Sequence, residues 1–423
     1  MTDLAAPPRP WRAYAAVTAA YWAFMLSDGA LRMLVLLHFN TLGFTPIQLA
    51  WLFLLYELAG IVTNLWAGWL AARFGLASTL YAGLGLQIGA LAALAQLDPA
   101  WGVAASVGFV MAVQGVSGVA KDLAKMSSKS AVKVLAPDAD GTLFRWVAAL
   151  TGSKNAVKGL GFFLGAALLA LAGFEAAVWG MAAVLAAILL GVALFLPSGL
   201  PARDRGARFA AWRSSDPRVN RLSLARLFLF GARDVWFVVG VPVYFQTVLS
   251  DGTAEGRRWA FFVIGGFLAL WIIAYGAVQG LAPRLLGRRT ATAPAAAEQV
   301  IRWAARLVPI PFVLAALAWL AGEPSTWLTA TLIGGLLLFG AVFAINSSVH
   351  SYLILAFGDT GRITRDVGFY YMSNAAGRLV GTLLSGLSFQ VGGLPLCLAT
   401  AGLMAALSWL AARRLRPVTA PSP

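Results

Sequence analysis

Long apolar stretches, each interrupted by a short polar or glycine-bearing turn, recur from one end of the 423-residue chain to the other. The apolar positions do not alternate as they do in half-buried strands. Most stretches reach the roughly 20 residues that a helix needs to cross about 30 Å of hydrocarbon. Lipid offers the backbone no hydrogen bonds, so only helices or closed barrels can span it, and unalternating runs select helices. The pattern predicts twelve spans. They are Tyr14–His38, Ile47–Ala72, Ser78–Leu97, a fourth from Trp101, Leu143–Leu171 and Ala176–Leu196, then Leu222–Leu249, Trp259–Ala282, Arg302–Ala321, Trp327–Ala356, Val367–Val391 and Leu394–Ala412. The expected division is a six-helix half over 1–196, a basic linker over 197–221 and a second six-helix half over 222–423.

Composition agrees with lipid as the solvent. Hydrophobic residues make up 60% of the chain and charged residues 12%, about half the charged share of a soluble domain. The formal net charge of +15 would suit nucleic acid, but the basic residues cluster between apolar runs, where membrane topology accounts for them. No nucleic-acid partner is expected; membrane lipid is. One set of turns carries Arg9, Arg12, Arg73, Lys129, Lys133, five arginines between Arg203 and Arg218, Arg284, Arg288, Arg289, Arg362, Arg365, Arg413, Arg414 and Arg416. The alternate turns carry only Arg257 and Arg258. That asymmetry predicts cytoplasmic termini and linker. The first run is too long for a cleavable signal and reads as a retained helix.

Chemistry-bearing residues are few. A single cysteine, Cys397, precludes an internal disulfide, and two histidines, His38 and His350, are too few for a His-based metal site. No cofactor or metal is expected. His350 reads as a packed polar residue, and Trp11, Trp101, Trp259 and Trp327 as interfacial anchors.

Charges inside the spans stand out, because each costs some 2.5–3.5 kcal/mol on insertion scales unless paired or hydrated. The carboxylates are Asp28, Glu57 and Asp234; the cations are Arg32, Lys154, Lys158, Arg226, Arg233 and Arg378, with Lys121, Asp122 and Lys125 extending the fourth span. Asp28 and Arg32 are four apart on one face, as are Lys154 and Lys158, and Asn374 and Arg378. Asp28 and Arg32 either neutralise one another or face a shared cavity. The lysines 121, 125, 129 and 133 form either a solvated basic face or part of that cavity, while Arg226 reads as structural. Arg32, Lys121, Lys125, Lys154, Asn155, Lys158, Arg233, Asn374 and Arg378 are the candidate substrate contacts. Such a cation-rich cavity suits a small multiply charged oxyanion, which accepts charge-assisted hydrogen bonds. Asp28, Glu57 and Asp234 are candidate proton-coupling groups, because a carboxylate in low dielectric can change its protonation as its surroundings change.

Six plus six helices around a basic linker resemble the major facilitator superfamily. The turns Gly68-Trp-Leu-Ala-Ala-Arg-Phe-Gly75 and Gly280-Leu-Ala-Pro-Arg-Leu-Leu-Gly-Arg288 look like degenerate copies of its loop signature, with Ala72 and Pro283 where the signature has an acid. The resemblance implies alternating access with substrate near the midplane. Four segments, 21–39, 117–135, 151–165 and 225–245, resemble the ArsJ family of organoarsenical efflux permeases. That resemblance implies export of 1-arseno-3-phosphoglycerate across the bacterial inner membrane, arsenate resistance, and a functional partner in glyceraldehyde-3-phosphate dehydrogenase, which makes the ester. An exchanger of another organic phosphate would have a similar interior. A membrane enzyme would need a catalytic constellation, and none is evident in the sequence.

Overall fold

The structure is a computed structural model that describes residues 10–135, 142–195, 216–287, 292–357 and 363–415. Among the described residues the chain is all helical. The first half holds α1 (Pro10–Thr41), α2 (Pro46–Leu52 continued by Leu54–Phe74), α3 (Leu76–Leu94), α4 (Val103–Leu135), α5 (Thr142–Ala172) and α6 (Phe174–Phe195). The second half opens with α7, made of Pro217–Val235, a π-helical segment Trp236–Gly240, and Val241–Leu249. Then come α8 (Ala254–Leu286), α9 (Ala293–Leu307 continued by Pro309–Ala321) and α10 (Thr326–Phe357). The final helical stretch, Ile363–Arg413, breaks at Gly392 and Gly393 into α11 (363–391) and α12 (394–413). Gly393 has φ 59° and ψ −155°, a conformation that a Cβ would disfavour.

Two boundaries differ from expectation. α7 begins at Pro217 because Asp216 caps it, accepting from the Arg218 amide at 2.7 Å. The Arg218 guanidinium hydrogen-bonded to Asp216 holds that carboxyl below the usual carboxylate range. Residues 217–221 are therefore helix and not linker; the rest of the expected linker up to 215 lies outside the described residues. α9 starts at Ala293, nine residues before the expected Arg302, because Thr292 caps an alanine-rich first turn by accepting from the Ala295 amide. Eleven helical stretches among the described residues are long and apolar enough to cross a membrane, the last covering both α11 and α12. Leu171, Trp319, Leu320 and Val391 are largely exposed, as lipid-facing side chains are.

Small residues set the helix spacing, as expected where packing and not water drives association. A Cβ on Gly161 would strike the Leu26 carbonyl and one on Gly165 the Ala30 carbonyl, so α5 lies directly against α1. In the second half, Gly377 meets the Leu227 carbonyl and Gly381 the Gly231 carbonyl in the same manner, bringing α11 against α7. The halves meet along two seams. α2 runs beside α11, where Gly386 abuts Pro46 and Ala50 and the Ile47 amide donates to Gln390 Oε1 at 3.1 Å. α5 runs beside α8, where Gly159 faces Ala269 and Gly265 faces Ala166 and Phe163.

This packing predicts that Gly165→Leu and Gly381→Leu prevent assembly, since backbone carbonyls cannot yield. Gly85→Leu, where a Cβ meets nothing within 4 Å, should be tolerated. The yield of monodisperse protein in detergent distinguishes the two classes.

Candidate functional site

The repeated glycine contacts define an internal register. Arg32 lies six residues beyond Leu26 on α1, and Arg233 lies six beyond Leu227 on α7, so these arginines occupy corresponding positions. Asp28 and Asp234, the acids in the first span of each half, do not correspond in this register: Asp28 matches Leu229. Lys158 and Asn374, each three residues before its glycine, do correspond.

A chain of alternating charge crosses the interface between halves. Arg32 Nη1 donates to Glu57 Oε1 at 2.9 Å, and Arg378 Nη2 donates to the same oxygen at 2.6 Å. Arg378 Nε reaches Asp234 Oδ2 at 3.3 Å, and Arg233 binds Asp234 Oδ1 at 2.5 Å. Three guanidinium groups thus share two carboxylates, and Arg378 on α11 joins Glu57 on α2 to Asp234 on α7. Arg233 is further seated among the rings of Phe230, Phe343 and Phe237, 4.8, 5.7 and 5.9 Å from its guanidinium carbon.

Beside this chain, Lys158 Nζ bonds Asp28 Oδ2 at 2.6 Å, and the Tyr56 hydroxyl donates to Asp28 Oδ1 at 2.5 Å. Asp28 and Arg32 therefore do not neutralise each other within α1; each finds its partner on another helix, because helix packing offers better-aligned groups than the i,i+4 neighbour. Lys121 has no carboxylate in ion-pair range among the described residues and places Nζ 4.0 Å over the Tyr56 ring. One turn on, Lys125 binds Asp122 Oδ1 at 2.5 Å and Asn64 Oδ1 at 2.7 Å, while Thr63 donates to Asp122 Oδ2. Asp122 is fully buried, so α4 carries a structural acid that its position beyond the apolar run had disguised. Lys154 lies half-buried one turn before Lys158.

Other expected residues sit elsewhere. Asn155 belongs to the α5–α8 seam, donating to Gln279 Oε1 at 3.5 Å and packing against Gly276. Asn374 accepts from Arg226 Nε at 3.1 Å. The side chains of Lys129 and Lys133 lie outside the described residues. Trp101, Trp259 and Trp327 are exposed, and no cluster of three or more potential metal ligands occurs among the described residues.

Of the charged residues singled out in the sequence, Arg32, Lys121, Lys125, Lys154, Lys158, Arg226, Arg233 and Arg378 give eight cations against Asp28, Glu57, Asp122 and Asp234, four carboxylates. The side chains of Lys158 and Arg378 retain 17% and 18% exposure. Two clefts lie away from these charges, one lined by Arg302, Trp409 and Arg413 and one by Asp251, Glu255 and Trp259. The π-helical segment of α7 follows Asp234 directly. Its Val239 and Gly240 amides both donate to Ser385 Oγ at 3.1 Å, and Cys397 Sγ donates to the Val235 carbonyl at 3.1 Å. The lone cysteine is thus a packing residue.

Breaking the shared carboxylate exposes its cost. Glu57→Gln leaves Arg32 and Arg378 without their common anion and should destabilise the folded protein by about 3–5 kcal/mol. Arg378→Gln in that background should recover part of the loss in a double-mutant cycle of thermal unfolding in detergent.

No family model and no curated protein sequence matches the chain. Solved structures do. A variant of the nucleoside transporter NupG matches with a TM-score of 0.70 at 15% identity, covering 95% of this chain and 98% of that one. A proton dependent oligopeptide transporter gives 0.67 at 15% identity over 95% and 98%. The human organic anion transporter MFSD10 (TETRAN) gives 0.64 at 17% identity over 96% and 100%. These likenesses span nearly the whole chain, and the chain has the fold of the major facilitator transporters, a multi-pass membrane architecture.

Proposed function

We propose that this protein exports a small organic oxyanion by alternating access, and that the cargo is the arseno-ester 1-arseno-3-phosphoglycerate. One observation carries the reading: eight cations within the helices face four carboxylates, and three of them, Arg32, Arg233 and Arg378, share Glu57 and Asp234 across the contact between halves of a transporter fold. An arrangement with that surplus is stabilised by an incoming anion. Arg32 Nη2 has no hydrogen-bond partner among the described residues, and Lys121 no carboxylate, so donors are at hand before any ion pair breaks. An oxyanion accepts charge-assisted hydrogen bonds from them. It can then compete with Glu57 for Arg378 and so loosen the contact between halves. Guanidinium groups clamp tetrahedral oxyanions with two parallel hydrogen bonds, while lysines add point charges.

The four segments resembling organoarsenical permeases supply the identity of the cargo. The two-half organisation around residues 197–221, the cytoplasmic placement of both termini and the bacterial inner membrane belong to the same proposal, as does a dehydrogenase that makes the ester. Proton antiport is the proposed coupling. Glu57 is its best-placed carrier among Asp28, Glu57 and Asp234, because it contacts cations of both halves and its Oε2 has no partner among the described residues. A different organic phosphate as cargo is the second reading, since the same cations would hold it.

In an arsenic-sensitive bacterial host, the protein should restore growth on arsenate only when a glyceraldehyde-3-phosphate dehydrogenase is co-expressed. Protection against arsenite alone would overturn the proposal, and absence of protection alongside uptake of an organic phosphate would favour the second reading. In proteoliposomes, Asp28→Asn, Glu57→Gln and Asp234→Asn should each be compared across an imposed pH gradient; unchanged gradient dependence in all three removes proton coupling.

A further inference from the structure

Seven residues before Arg233, and hence on nearly the same face of α7, Arg226 is 5% exposed yet meets no carboxylate among the described residues. Its partners are neutral. Nε donates to Asn374 Oδ1 at 3.1 Å, and Nη1 donates to the Ser347 carbonyl at 3.2 Å and to Ser347 Oγ at 2.9 Å. Nη2 makes no hydrogen bond among the described residues. The guanidinium carbon lies 4.1 Å from the Phe230 ring and 5.1 Å from that of Tyr370. A charge held away from water with only neutral acceptors leaves much of its desolvation unmatched.

The surroundings share that imbalance. Asn346 and His350, one turn apart on one face of α10, are both fully buried, and no side-chain nitrogen or oxygen of either has a hydrogen-bond partner among the described residues. Buried amides and imidazoles are normally satisfied. A guanidinium held only by neutral acceptors thus reaches α10 at Ser347, next in sequence to Asn346 and three residues before His350, whose donors lack acceptors among the described residues. Arg226 precedes Arg233 by about 10 Å along the helix axis, and Asn374 and Arg378, one turn apart on α11, run alongside.

We propose that Arg226, Asn346 and His350 form a second oxyanion subsite, which takes the far end of a cargo bearing an oxyanion at each end of a short carbon chain while Arg233 and Arg378 take the near end. The inference rests on the anion-export reading and deepens it, because it makes two separated anionic groups the basis of selectivity. A cargo with a single anionic group fills only the central site. The mid-span separation of the two arginine positions suits a three-carbon spacer, whose terminal oxyanions extend toward the donors at both ends.

The test uses the purified full-length protein and two stable probes, propane-1,3-diphosphonate and propylphosphonate, titrated by calorimetry. The wild-type protein should bind the diphosphonate at least about tenfold more tightly, the order expected for one added charge-assisted contact. Arg226→Gln should abolish that preference while leaving propylphosphonate affinity within about twofold, and Arg226→Lys should keep part of it. His350→Phe, which leaves every cation in place, should also lower affinity for the diphosphonate alone and serves if Arg226→Gln is not monodisperse. Arg378→Gln should weaken both probes. Equal binding of the two probes by the wild type, an undiminished preference in Arg226→Gln and His350→Phe, or equal weakening of both probes by a monodisperse Arg226→Gln would overturn the subsite and leave anion export standing. Binding of neither probe by the wild type would overturn both.

Discussion

A guanidinium group stays charged even between apolar helix bundles, so carboxylates that meet it there lower its cost, and Arg378 meets one from each side. Glu57 comes from α2 and Asp234 from α7, so the contact that neutralises Arg378 also fixes one half of the protein against the other. In such surroundings both the attraction and the cost of removing charge from water are large, and they nearly cancel. What survives the cancellation is specificity of arrangement. Because Arg32 and Arg233 bind the same two carboxylates from their outer sides, the chain ends in cations at both flanks and stays short of negative charge.

That shortage connects packing to chemistry. Glycines on α5 and α11 bring those helices against α1 and α7 in the same way twice, and the repetition sets Arg32 and Arg233 at matching depths on opposite sides of the interface. Larger residues at Gly161, Gly165, Gly377 or Gly381 would separate the helices and take the arginines out of reach of Glu57 and Asp234. The π-helical turn after Asp234 places two successive amides on Ser385 and ties α7 to α11 just beyond the charged chain. Arg378 therefore sits where α11, α2 and α7 meet.

Pairing among these charges follows from helices that are distant in sequence. Asp28 sits four residues from Arg32 yet binds Lys158 and Tyr56, while Arg32 turns to Glu57. The i,i+4 spacing correctly put Asp28 and Arg32 on one face, but a face can be shared by groups that each look across to a different helix. Asp122 was hidden for a related reason: three basic or polar residues around it suggest a solvated helix end, whereas α2 packs against it and supplies Thr63 and Asn64. Asn155 had the spacing of a cavity residue, but close approach at Gly276 draws it into the α5–α8 seam.

The amino-acid sequence by itself determined that this chain lives in lipid, that it spans as helices, and that its interior holds more positive than negative charge. Those properties depend on composition and on the length of apolar runs, which are local and additive. Tertiary structure alone decided which charges neutralise which, that Arg378 joins the halves, that Asp28 and Asp234 are not equivalent, and that Arg226 is buried beside unsatisfied polar groups. Ion pairing falls off over a few ångströms and depends on how helices turn against one another, and that rotation is set by small-residue contacts between segments more than a hundred residues apart.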